Sequence, residues 1–439
     1  MSRTDDDWTG PVRARLSARL ERNVDHPLGL ALSGGGDSIA LLHVAAGWAR
    51  ANGRRLLALT VDHGLSPDSA AWTAFAEQAA RDAGADWRGL TWRGLKPAAG
   101  LPAAARRARH ALIAAAAREA GARIVLFAHT ADDIAEAGLM RAGGSTLGRL
   151  RDWAPSPAWP EGRGLMLLRP MLDAGRAEVR DWLTGRGASW IDDPANEDPK
   201  YARSRARASL LPVGGGGAHR ETTRDGAPRP DDGCAAVRSS PLPTGEGWFQ
   251  LPRDIDAQAL AAALVCVGGG DRPPRGDRLF GLLARLRSGE AFTATLCGAR
   301  IEPGAAGVLL TREPGELNRR PPPPLPLSPG VEAVWDGRWA ITADEPGWSV
   351  VPAGGRRTAL SDADRAALKA LPPAARGGWP VLIRNGGGAP VLAQTAARTR
   401  SLIEQRLALA LDRMTHERDL GAVIHGATPP NPLFSSRHQ

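Results

Sequence analysis

Near the start of the chain, Ser33-Gly34-Gly35-Gly36-Asp37-Ser38 is the segment best suited to chemistry. Three successive glycines let a phosphate group approach the backbone closely, and two serines add hydroxyl donors. A helix starting here would direct free N–H groups and the positive end of its dipole at the anion. A lysine-bearing phosphate loop is excluded, because Lys96, Lys200 and Lys369 are each followed by a residue other than Ser or Thr. Lysine-assisted attack at a γ-phosphate is therefore disfavoured, and the G-x-G-x-x-G spacing of a dinucleotide fold is missing. Taken alone, the loop is also compatible with a tight connection that binds nothing.

Farther along stand Asp132, Asp133 and Glu136, with His63 after Asp62 and His129 shortly before the acids. Acids in the first turn of a helix complement its dipole, which is the plain structural reading. At the C-terminal end of a parallel strand the same acids would instead face a ligand crevice. Arg106, Arg109 and Arg141, and the run Arg203, Arg205, Arg207, read either as solvated charge or as forks for phosphate oxygens.

The elements that must position these groups are legible as apolar runs at 28–32, 56–61 and 123–128, each followed by a turn and a helical pattern at 39–50, 70–83 and 132–141. Residues 103–120 predict a further Ala-rich helix. Repeated βα units predict a doubly wound parallel sheet with helices on both faces, so the fold class is α/β. Smaller α/β or α+β domains are expected to follow. The expected division is 1–24 as an N-terminal extension, 25–212 as the catalytic domain and 213–247 as a low-complexity insert. Beyond these, 248–318 reads as a small middle domain, 319–329 as a proline-rich spacer and 330–439 as a C-terminal domain. In the middle part, 257–267 and 277–286 predict helices, and 292–302 and 307–311 predict strands. In the last part, 334–343 and 380–384 predict strands, and 362–371 and 402–410 predict helices.

At 439 residues, with 43% apolar and 23% charged, the composition is globular, and the length suits two or three domains. No apolar run approaches the roughly 20 residues that cross a bilayer. Residues 1–7 are polar and acidic, so a soluble cytoplasmic protein without membrane association is expected. Cys234, Cys266 and Cys297 lack metal-ligand spacing, which argues against a zinc site or a disulfide framework. The formal charge of +9 and pI near 10.6 suit a polyanion such as RNA, although an arginine-rich composition explains them equally.

The SGGxDS pattern of the loop resembles the PP-loop ATPase signature, and the downstream segments are similar, in order, to those of the bacterial tRNA(Ile)-lysidine synthetase family. These are Val61-Asp62-His63-Gly64-Leu65, then Ala105-Arg106 with Arg109, then Ala128-His129 with Asp132-Asp133, Glu136 and Leu139-Met140-Arg141. They continue with Leu168-Arg169-Pro170, Trp190-Ile191-Asp192-Asp193-Pro194, and Asn196, Asp198, Arg203, Arg205 and Arg207. Thr295-Leu296-Cys297-Gly298 and Thr311-Arg312-Glu313 are weaker matches. His110, Thr130, Ile134, Ala137 and the insert depart from the family's pattern.

The resemblance implies ATP-dependent ligation of L-lysine to C2 of the wobble cytidine of tRNA(Ile) with a CAU anticodon. An adenylated tRNA would be the intermediate, with AMP and pyrophosphate released and Mg²⁺ accompanying ATP. It implies ATP contacts from Ser33, Gly34, Gly35, Gly36, Asp37, Ser38, Asp62 and His63, and catalytic roles for Asp37, Asp132 and Asp133. It further implies substrate or tRNA contacts from His129, Glu136, Arg106, Arg109, Arg141, Arg203, Arg205 and Arg207, and is compatible with a homodimer. Among the acids, proton transfer from lysine's amine, Mg²⁺ binding and ammonium binding stay open. The alternatives are another PP-loop tRNA-modifying or adenylating ligase, and a non-catalytic nucleotide- and RNA-binding relative. A thiolase is disfavoured because no cysteine precedes Cys234.

Overall fold

The computed structural model describes residues 8–143, 149–193, 205, 206, 209, 244, 245, 247–411 and 414–424. They pack as two compact units, one holding most of the chain up to residue 240 and the other most of the rest. Residues 155–164 belong to the second unit, and 416–418 to the first.

The first unit runs α1 (Thr9–Arg19), β1 (Leu28–Ala31), α2 (Gly36–Ala51), β2 (Leu56–Asp62), α3 (Ser69–Asp82), β3 (Asp86–Thr91), α4 (Leu101–Glu119), β4 (Ile124–Leu126), α5 (Ala131–Ala142), β5 (Trp153–Pro155), β6 (Met166–Leu168) and α6 (Arg176–Thr184). The strands form one sheet in the order β3-β2-β1-β4-β6-β5, with β3/β2, β2/β1, β1/β4 and β4/β6 parallel. Chain order therefore reverses between β1 and β4, and ligands of open α/β sheets sit outside the carboxyl ends of the strands at such a switch. The loops entering α2 and α5 both emerge there.

β1, β2 and β4 are apolar runs because they lie inside the sheet with helices on its faces: Leu28, Leu30, Ile124, Val125 and Leu126 are fully buried. α2 is buried on nearly every side, which accounts for its Ile39, Leu41, Leu42 and Val44. Glu417 lies buried in this unit and accepts hydrogen bonds from Arg54 Nη1 at 2.9 Å and Nη2 at 3.0 Å.

The second unit begins with β7 (Thr244–Gly245) paired to β8 (Trp248–Leu251), so a strand falls within the last residues of the 213–247 segment. After α7 (Ala257–Gly268) and α8 (Gly276–Arg287) come β9 (Ala294–Leu296), β10 (Ala299–Gly304) and β11 (Gly307–Arg312), giving an antiparallel sheet ordered β7-β8-β11-β10-β9. Phe249, Leu260, Leu264, Ile301 and Leu310 form its core. Two smaller antiparallel sheets follow, built around a second core that includes Trp335, Trp339, Val350, Trp379 and Val381. Part of the proline-rich stretch is itself a strand, since Leu325 and Pro326 pair with Val350 and Ser349. Among the described residues no helix is long and apolar enough to cross a membrane.

Candidate active site

The glycine loop is built as a preformed cradle. Ser38 Oγ donates to the Gly35 carbonyl at 2.8 Å and lies 3.1 Å from Ser33 Oγ, while the Ser33 and Gly35 amides turn inward to these hydroxyls. Gly34 has φ of +83°, and a Cβ there would lie 2.5 Å from Ile191 Cδ1, so the turn requires glycine for both conformation and space. The Ile191 amide donates to the Gly34 carbonyl at 2.9 Å, and Trp190 lies against Gly36. The Trp190-Ile191 segment thus forms the back wall of the loop. The N-cap of α2 is Gly35, with no side-chain cap, so the first turn presents backbone donors to a ligand.

Asp37 lies in that first turn, and Asp132, Asp133 and Glu136 lie at the start of α5; the structure brings all four to one residue, Arg176. Its Nε donates to Asp37 Oδ2 at 3.3 Å, Nη1 to Glu136 Oε1 at 2.9 Å and Nη2 to Asp133 Oδ1 at 3.2 Å, and its backbone N–H donates to Asp132 Oδ2 at 2.8 Å. Asp133 Oδ2 also accepts the Thr130 amide at 2.8 Å, an N3 carboxylate closing the helix start. Thr130, a departure from the family's pattern, is therefore a working cap.

Burial pushes the Asp37 carboxyl above its ordinary range, and the Arg176 charge only partly opposes this. Burial alone would lower the Arg176 guanidinium, but its bond to Glu136 and the charges of Asp37 and Asp133 outweigh it and hold the pKa above the usual value. Three carboxylates thus converge on one guanidinium. Asp37 Oδ1 is buried with no hydrogen-bond partner among the described residues. Hard carboxylate oxygens with unused lone pairs beside a phosphate cradle fit a divalent cation such as Mg²⁺.

The flank is basic and aromatic. His110, Phe127 and His129 stack in succession at 5.2 and 5.9 Å between centroids, and Arg169 Nε donates to His129 Nδ1 at 3.2 Å. Burial, with the charges of Arg109, Arg106 and Arg169, drives His110 from 6.5 down to about 3. Burial and Arg106 lower Arg169 to about 10. Burial and Arg109 also depress His63, which meets Trp92 edge-on, while Asp62 accepts the Gly64 amide at 2.7 Å. Arg106 and Arg109 thus face the same end of the sheet as His63 and Arg169. Arg141 closes the last turn of α5.

A family model described as a PP-loop domain matches residues 10–214. Over 420 residues the chain is 49% identical to a tRNA(Ile)-lysidine synthase of Caulobacter vibrioides, covering 92% of this chain and 98% of that one. The chain belongs to the tRNA(Ile)-lysidine synthase family. A tRNA(Ile)-lysidine synthase of Hyphomonas neptunium is 34% identical over 376 residues, 80% of this chain and 98% of that protein. One from a Bradyrhizobium strain is 38% identical over 326 residues, 68% and 90% of the two chains.

Within this lysidine synthase fold, hydrogen bonds through Arg176 join the Ser33–Ser38 loop, by way of Asp37, to Asp132, Asp133 and Glu136. Asp62 ends β2 with His63 just after it, Arg106 and Arg109 lie on α4, His129 follows β4, and Arg141 lies in the last turn of α5. Arg205 is exposed, and Arg203, Arg207, Asn196 and Asp198 lie outside the described residues. Sequence reasoning missed Arg176. The available signal was its position: an arginine at the first residue of a helix opposes the dipole there, and so requires nearby acids.

Proposed function

We propose that the chain is an ATP-dependent ligase that adenylates C2 of the wobble cytidine of a tRNA(Ile) with a CAU anticodon and then joins L-lysine to that carbon. The observation that carries this reading is the junction of phosphate loop and acid helix at the β1/β4 switch, in a chain of the tRNA(Ile)-lysidine synthase family.

The loop without lysine suits a nucleotide held by its β- and γ-phosphates and attacked at the α-phosphate. Backbone donors at the start of α2 and the Ser33 and Ser38 hydroxyls would hold the departing pyrophosphate. Asp37, through its unpartnered Oδ1, would hold Mg²⁺, which when bound offsets phosphate charge. The cytosine C2 oxygen bonds to the α-phosphorus as pyrophosphate leaves. Lysine's ε-amine then attacks C2, and AMP departs with the C2 oxygen.

An amine with an ordinary pKa of about 10.4 must shed a proton to attack. Both oxygens of Asp133 are engaged, by Arg176 and by Thr130, whereas among the described residues Asp132 accepts a hydrogen bond only at Oδ2. Asp132 Oδ1 is thus the better proton acceptor, while Asp133 and Glu136 supply negative charge for a substrate cation. Arg106 and Arg109 form a basic flank suited to RNA phosphates, and the buried Arg169 and the stack on Phe127 hold His129 beneath it. Incubating the protein with ATP, radiolabelled lysine and a CAU-anticodon tRNA(Ile) transcript should place label in the tRNA; unlabelled tRNA would refute the proposal.

A further inference from the structure

We infer that Arg176 is a positioning residue that couples the two half-reactions, holding Asp37 of the phosphate loop and Asp133 and Glu136 of α5 in one geometry. The inference rests on the proposed function.

Three observations support it. A single guanidinium spans two elements with bonds of 2.9 to 3.3 Å to three carboxylates, and the backbone N–H of the same residue fixes the fourth acid, Asp132. The Arg176 side chain is only 15% exposed, and its three carboxylate partners range from 1% to 22%. Without it the three acids would lose the one guanidinium that bonds to all of them, and their mutual repulsion would act to separate loop from helix. The arginine also occupies the first position of α6, where a positive charge opposes the helix dipole. Local helix energetics do not favour an arginine there, whereas the acids on both neighbouring elements do. A planar fork reaches three partners at once; a lysine ammonium, though it has three donors, is a compact point charge without that span.

The test uses the full chain and separates the half-reactions: adenylation of tRNA from α-labelled ATP without lysine, and lysine transfer onto pre-adenylated tRNA. Wild-type activity in both is the control, and its failure would count against the proposed function instead. With that control positive, Arg176→Ala should slow both half-reactions by roughly 100-fold, as expected when reacting groups are misplaced by about an ångström. Its melting temperature should fall, because buried carboxylates lose a shared cation, so both rates are compared at a temperature where circular dichroism shows the variant folded. Methylguanidinium in the buffer should restore part of both rates, and Arg176→Lys should fall between wild type and alanine. If the alanine variant does not fold, Arg176→Lys carries the test, and wild-type rates in that variant would overturn the inference. Wild-type rates in Arg176→Ala, a loss confined to one half-reaction, or a loss that methylguanidinium leaves untouched would also overturn it.

Discussion

Around Arg176 one guanidinium faces three carboxylates, whereas in the second unit one carboxylate, Asp336, faces two guanidiniums, and the surroundings differ as much as the charge balance. Arg312 donates to Asp336 through Nε at 3.0 Å and Nη2 at 3.3 Å, and Arg338 through Nε at 2.8 Å. The remaining donors are absorbed: Arg312 Nη1 reaches the Gly298 carbonyl at 2.9 Å as well as Glu316, and Arg338 Nη2 reaches the Gly378 carbonyl at 2.7 Å. With Glu316 counted, that network is neutral. The Arg176 network gathers three carboxylates at the ligand-binding edge of a sheet, and among the described residues Asp37 Oδ1 in it is buried without a hydrogen-bond partner. Burial and ion pairing alone therefore do not mark a site; an unfilled acceptor beside a phosphate cradle does.

Substitutions in the two networks should have effects of different kinds. The largest is on chemistry. Asp37→Ala should remove ATP-dependent AMP transfer by about 100- to 1,000-fold, the scale for losing a preorganised electrostatic group. Asp132→Ala should reduce lysine transfer while changing ATP affinity little, as measured by equilibrium binding; an unchanged transfer rate would place the proton acceptor elsewhere. The next effect is on stability. Asp336→Ala leaves the buried Arg338 without a carboxylate and Arg312 with Glu316 alone, and should cost roughly 3–5 kcal/mol in denaturant unfolding, with ATP affinity per folded molecule retained. A loss of ATP affinity with normal stability would erase the distinction between the networks.

A smaller effect is set by pH. The folded chain holds His110 neutral because its pKa lies below the ordinary 6.5, at about 3. The resulting stability is fully present above 6.5 and is lost as pH falls toward about 3. His110→Phe should keep the stack on Phe127 and lose less unfolding free energy between pH 7 and pH 4 than wild type does; equal acid sensitivity would refute this. The smallest effect is expected from deleting 213–240, whose composition cannot offset its own ordering entropy. A folded, active deletion variant is the expected result, and failure to fold would show that the segment is structural.

Much of the sheet and site was legible in the sequence, for identifiable reasons. β1, β2 and β4 are interior strands and so read as apolar runs, and the helix after the glycine loop is apolar on nearly every side. β3 was hidden because it is an edge strand: Asp86-Trp87-Arg88-Gly89-Leu90-Thr91 has no buried residue and no apolar run. α6 was hidden because it is short, starts at Gly175 without a side-chain cap, and buries only Val179 and Leu183. Arg176 went unseen with it. Spacing marked Asp37, Asp132, Asp133 and Glu136 separately, but that one arginine joins them depends on the crossover from β6 to α6, a tertiary fact.

Labelling ATP at the α- and γ-positions in turn shows whether the lysine-less loop directs reaction to the α-phosphate. With CAU-anticodon tRNA(Ile) and no lysine, α-label should appear on the tRNA and γ-label in pyrophosphate, and adding lysine should release the α-label as AMP. Release of γ-label as inorganic phosphate, with no α-label on the tRNA, would contradict the account.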